Sequence, residues 1–195
     1  LIKIYTLSFF MLYLFNTAPA QDLKAETEFL TWFFTKERKT TDSVLFLNDY
    51  DKGTNHQFKN NLKGDTIYDR FTSYPIKESI IYLLSEKERK YVEKELKETK
   101  SRNIPTKILP DMKIVKRKTI YAAFTKETDG WEELQKKNLL NFYSFKKPIL
   151  LKDNTICIFE YTYNCGSLCS RGATNIYKKE NGEWIPWKPL YRWIS

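Results

Sequence analysis

One stretch near the C-terminus, Thr155 to Tyr177, constrains this chain more than any other. Thr155 to Tyr163 is dense in aromatic and β-branched side chains, which predicts a strand. The strand period of two sends Cys157, Phe159, Tyr161, Tyr163 and Cys165 to one face. Ile156, Ile158, Glu160, Thr162 and Asn164 go to the other. Cys165 to Cys169 then turns the chain, and Ala173 to Tyr177 runs back. With Gly166, Ser167 and Leu168 as the loop, Cys165 and Cys169 face each other across a hairpin.

The cysteine arithmetic follows from that hairpin. Cys157 and Cys165 sit on one strand, roughly 26 Å apart when extended, too far to bond. Cys157 falls opposite the region of Tyr177, away from Cys169. Cys165–Cys169 is therefore the predicted disulfide. So short a loop constrains the unfolded chain by only about 2 kcal/mol, so the bond serves to fix the loop. Cys157 reads as an inert core thiol. A Cys-x-x-x-Cys pair offers two metal ligands, and the single histidine, His56, lies in the other half of the chain. No metal site and no cofactor is expected. The spacing is also not the Cys-x-x-Cys of a redox enzyme.

The N-terminus reads as a secretory signal peptide over residues 1–20. Lys3 supplies the positive start, Ile4 to Phe15 an apolar run, and Ala18-Pro19-Ala20 a small-x-small cleavage site. The expected product is one domain, residues 21–195, exported to the periplasm or beyond the cell, with no transmembrane span once the signal is removed. Its 42% hydrophobic content is enough for a core that needs no disulfide framework. The net charge of +9 is spread among interleaved acids, as in Lys36 to Lys39 and Glu86 to Lys90. That pattern is a solvated surface and not a specific nucleic-acid interface. The acid-free run Lys113 to Lys118 reads as a strand with a solvated face.

Taken in order, the mature chain predicts a helix over 22–38 with Asp22 as its cap and Leu23, Leu30, Phe33 and Phe34 on its apolar side. A short buried strand follows at Val44 to Leu47. The loop Asn48 to Gly53 has an Asp-x-Asp-x-Gly core but lacks the acid a calcium loop needs at its twelfth position. A short strand is expected at Thr66 to Tyr68, and Ile80 to Leu84 reads as a short apolar strand or the approach to a helix. Ser85 and Glu88 have capping-box spacing and open a mostly exposed helix to about Lys100. Met112 to Val115 and Thr119 to Phe124 read as strands, and Asp129 opens a helix that runs to about Asn141. From Pro148 the pattern is a β-meander, with Asn181-Gly182 as a two-residue hairpin turn. Pro186 and Pro189 make the last strand an edge or an interrupted one.

The C-terminal third resembles a group of small exported bacterial proteins without assigned function. Lys147 to Leu150, Tyr163 to Cys169 with Gly172 beyond it, Tyr177 to Trp184 and the terminal Trp193-Ile194-Ser195 carry the likeness. It implies export and a closed hairpin, and it brings no catalytic residues.

These readings add up to an α+β fold, an antiparallel sheet with two to three helices against one face, similar in architecture to cystatin or nuclear-transport-factor-like folds. The expected function is a non-enzymatic binding module for an envelope polymer, a sugar or another exported protein. Its surface would be the aromatic sheet face and the cysteine loop, with Tyr161, Tyr163, Trp184 and Trp187 as the candidate stacking residues. The alternative is a hydrolase of an envelope polymer with Glu160 as acid/base. Against it, an ion pair from Glu160 to Arg171 across the hairpin would make that carboxylate structural.

Overall fold

The computed structural model describes residues 18–37, 45–48, 66–67, 82–97, 104–105, 108–125, 127 and 129–195. Their elements, in chain order, are α1 (Ala18–Glu37), β1 (Leu45–Leu47), β2 (Thr66–Ile67), β3 (Tyr82–Leu83), α2 (Glu86–Lys97), β4 (Lys113–Val115), α3 (Arg117–Tyr121), α4 (Gly130–Lys136), β5 (Phe142–Phe145), β6 (Ile149–Leu151), β7 (Ile156–Asn164), β8 (Arg171–Glu180) and β9 (Glu183–Ile194). None of the described helices is long and apolar enough to cross a membrane.

β7 is the centre of a seven-stranded sheet: β4-β1-β5-β7-β8-β9 lie in that order, and β6, off this path, also pairs with β7. Its nine residues are long enough to serve two antiparallel partners along the same side. Ile156 to Ile158 pair with β6, and Tyr161 to Asn164 pair with β5. On its other side β7 pairs with β8 over eight positions, with Cys157 opposite Tyr177 as the three-residue loop requires. The β8–β9 turn has φ of 50° at Asn181 and 84° at Gly182, the two positive values that Asn-Gly supplies cheaply. Among the described strands β9 is one edge of the sheet, and its register with β8 slips twice, once on each side of Pro189. The prolines, which lack a ladder donor, are accommodated by those bulges.

The far side of the sheet departs from a purely antiparallel meander. β1 pairs in parallel with both β4 and β5. Such neighbours need crossover connections, which local sequence patterns do not reveal. β2 and β3 form a separate antiparallel pair.

Both faces are covered, whereas the sequence suggested helices on one. On the first face α1 presents Phe29, Leu30, Phe33 and Phe34, all buried. Phe29 meets Phe159, Tyr177 and Trp184 edge-on at 5.2–5.3 Å between ring centroids. Phe33 meets Phe159 and Tyr161 at 4.8 Å, and Phe34 meets Phe46 at 4.6 Å. Edge-to-face rings of this kind add to what area burial alone provides. On the second face Val92 of α2, fully buried, joins Leu84, Ile149, Leu151, Ile158, Ile176 and Leu190. Few apolar residues mark α2, so its stripe is narrow. Ion pairs supplement it: Lys147 Nζ lies 2.9 Å from Glu95 and Lys152 Nζ 3.4 Å from Glu88.

Helix boundaries follow local chemistry. The Ser85 amide and hydroxyl donate to Glu88 Oε2 at 2.8 Å, and the Glu88 amide donates back to Ser85 Oγ, so the capping box forms. Asp129 caps α4 by accepting from the Trp131 amide. α4 stops at Lys136, short of the predicted Asn141, because Asn138 adopts φ 51°. The Asn138 amide donates to Gln135 O and the Leu139 amide to Leu134 O, a left-handed cap made with Asn in place of Gly. α1 begins at Ala18, so Asp22 lies inside it and not at its start. Residues 117–121, expected as part of a strand, form α3. Ile120 and Ala123 bury together at helical spacing against Leu45, Leu47, Leu134 and Phe142.

Candidate functional site

Strand alternation, on β7 for Glu160, Tyr161 and Tyr163 and on β9 for Trp184 and Trp187, decides where each candidate residue goes. Tyr161 and Trp184 point under α1 and belong to the core, 9% and 4% exposed. Trp187 is half-buried on the opposite face, packed against the α2-side cluster, with Lys178 Nζ 5.7 Å from its ring. Tyr163 lies near the end of β7, partly buried against the core's rim. Its hydroxyl pairs with Asn141 Oδ1 at 3.2 Å, and the Arg171 guanidinium sits 5.2 Å from its ring. The four aromatics therefore do not form one stacking surface. They are shared between core, far face and rim.

Glu160 faces the second side of the sheet. Lys146 Nζ lies 3.1 Å from its Oε1, and Thr174 Oγ1 donates to its Oε2 at 3.3 Å. The sequence suggested Arg171 as the pairing cation. Arg171 lies opposite Tyr163 on β7, one face away, and stacks there instead. Lys146 reaches Glu160 because its own amide is pinned to the Glu160 carbonyl at 2.9 Å.

The hairpin end is where unusual features collect. Cys165 and Cys169 have Sγ atoms at bonding distance, 2.13 Å, with Cα atoms 5.5 Å apart. Gly166 opens the loop with φ 139°, a conformation that favours glycine. Ser170, buried, donates from Oγ to the Gly166 carbonyl at 3.2 Å. The C-terminus then closes over the loop's base. The Ser195 amide donates to Ser170 O at 2.9 Å and its hydroxyl does so at 3.3 Å. One row back, the Trp193 indole lies so close over Gly172 that a Cβ there would meet Nε1 at 2.3 Å. Thus the terminal Trp193-Ile194-Ser195 is a latch on the cysteine hairpin.

What this latch leaves outside is aliphatic. Leu168 in the loop is 86% exposed and Ile194, opposite Arg171, is 84% exposed. These two are the most exposed large apolar side chains among the described residues. Sequence reasoning placed the cysteine loop in the site but missed both tips. The available signal was Leu168 itself, an apolar residue in a three-residue loop with no core to reach.

The remaining reactive groups are quiet. Cys157 is free and fully buried, and burial, reinforced by the nearby Glu26 carboxylate, pushes its thiol pKa well up. No group of three or more His, Cys, Asp or Glu side chains gathers among the described residues. His56 and residues 49–53 lie outside the described residues.

Fold and hairpin together define an α+β protein with a mostly antiparallel sheet and a cystine-closed β7–β8 turn. No family model, curated protein or solved structure matches the chain.

Proposed function

We propose that the chain is an exported, non-catalytic binding module whose docking surface is the latched hairpin end. The supporting observation is the pair of exposed aliphatic tips, Leu168 and Ile194, on backbone held by the Cys165–Cys169 bond and the Ser195 contacts. A loop fixed before binding loses little entropy on docking. Aliphatic tips with flanking backbone suit a protein partner. A sugar platform needs an exposed aromatic face, and Tyr161 and Trp184 are buried. Glu160, held by Lys146 and Thr174, fits a structural carboxylate better than the acid of a hydrolase. Export rests on the residue 1–20 pattern and agrees with an oxidised cysteine pair. A long helix lying across an antiparallel sheet supports the cystatin or nuclear-transport-factor-like analogy. The parallel β1 pairs and the α2 layer set this chain apart from it.

A photo-crosslinking residue placed at Leu168 or at Ile194 in the exporting cell tests this reading. Both positions are expected to give the same discrete protein adduct. That adduct should be absent from exposed Lys94 on α2 and lost in a Cys165→Ser/Cys169→Ser chain. Adducts equal at all three positions, or none at the two tips, would refute the proposal.

A further inference from the structure

The strand-to-helix corner from β4 to α3 carries a second surface, remote in sequence from the hairpin. Between Asp111 and Glu127 the chain has no acid but has Lys113, Lys116, Arg117, Lys118 and Lys126. Lys113, Lys116 and Lys118 are exposed, and no carboxylate among the described residues bridges them. Lys90, Lys136 and Lys152, by contrast, are each bridged to a carboxylate. The same corner exposes three large apolar side chains: Ile114 at 40%, Tyr121 at 60% and Phe124 at 44%.

The corner is built to hold these groups outward. Ile120 and Ala123 anchor α3 into the core beside β1 and α4. Arg117 Nη1 donates to the Tyr121 hydroxyl at 3.2 Å across one helical turn. Phe124 rests edge-on against Trp131 at 5.2 Å. Exposed apolar side chains gathered beside Lys113, Lys116 and Lys118 mark a surface that meets a partner taking both charge and apolar contact.

We infer that this corner docks on an anionic lipid surface. Lysines draw such a segment to acidic headgroups, while Ile114, Tyr121 and Phe124 enter the boundary between headgroups and acyl chains. A soluble polyanion would satisfy the lysines and leave the apolar side chains in water, so charge complementarity with apolar insertion favours the bilayer.

The test compares partition of the protein, as it accumulates in the exporting cell, onto vesicles of phosphatidylglycerol with phosphatidylcholine and onto phosphatidylcholine alone. The ratio of the two isolates the charge-dependent part from any binding common to both. Changing Lys113→Gln, Lys116→Gln and Lys118→Gln together is expected to lower the ratio by about a hundredfold. A control with Lys24→Gln, Lys87→Gln and Lys94→Gln removes the same charge from exposed helix positions and should lower it far less. Equal losses would mean net charge alone acts, and the inference fails. An environment-sensitive dye on Tyr121→Cys separates the partners further. It should shift to the blue with the anionic vesicles and stay unshifted with polyphosphate. No shift with vesicles would overturn membrane insertion.

Discussion

Replacing Gly172 with alanine strikes the latch at its tightest point. The new Cβ would stand 2.3 Å from Trp193 Nε1 and 2.6 Å from Cε2, inside any tolerable contact. Gly172 sits between β7 and β9 with Thr162 and Trp193 as partners, so its backbone is held and the indole must leave. A half-buried indole covers about 100 Å² of apolar surface, and exposing it costs about 2.5 kcal/mol at ~25 cal/mol per Å². Removing a strand glycine returns about 0.5 kcal/mol through the unfolded chain. The net loss is about 2 kcal/mol, a sizeable share of the ~5–15 kcal/mol that a domain possesses. In urea unfolding followed by far-ultraviolet circular dichroism, the midpoint should fall by about 1 M with the slope unchanged. Trp193→Ala alone should cost a similar amount. Since the clash disappears with the indole, the double variant should lose clearly less than the sum. An unshifted midpoint for Gly172→Ala, or strict additivity, would refute the latch.

Two other perturbations probe the scaffold. Ser85→Ala should destabilise by about 1 kcal/mol through loss of the cap. Burial pushes the Glu88 carboxyl up, but hydrogen bonds from Ser85 and the Lys152 ammonium outweigh it and leave the pKa below the ordinary glutamate value. That contribution is present above the unfolded pKa and is lost as pH falls through the folded one, so the gap between Ser85→Ala and the parent should narrow in acid. A gap constant through the carboxylate range would contradict the capping box. Lys146→Met should cost about 1–2 kcal/mol by removing the Lys146 ammonium from Glu160, and adding Glu160→Gln should recover part of it. Additive losses in calorimetry would show that the two side chains do not act as a pair.

Much of the C-terminal half was legible because its rules are local. Cys165 with Cys169 marked the loop, its length placed Cys157 opposite Tyr177, and Asn181-Gly182 fixed the β8–β9 turn. Ser85 and Glu88 announced α2 for the same reason. The parallel pairing of β1 with β4 and β5 was not legible, because it joins segments far apart in sequence through connections without a signature. α3 was misread because a run rich in Thr, Ile, Tyr and Phe suits a strand, and only burial of Ile120 with Ala123 selects the helix. In the site, composition pointed to the aromatics, yet α1 covers Tyr161 and Trp184. The Ser195 contacts and the Trp193 packing on Gly172 depend on register across three strands, which no local pattern encodes.

The most direct check on an exported module with an oxidised, latched hairpin is the intact mass of the protein accumulated by the exporting cell. It should be taken with and without thiol alkylation under denaturing conditions, together with a peptide map. The account predicts a chain starting at Gln21, a Cys165–Cys169 cross-link and alkylation at Cys157 alone. In the native state Cys157 should resist alkylation, since burial holds its thiol protonated. Three alkylated cysteines, or a chain retaining residues 1–20, would contradict it.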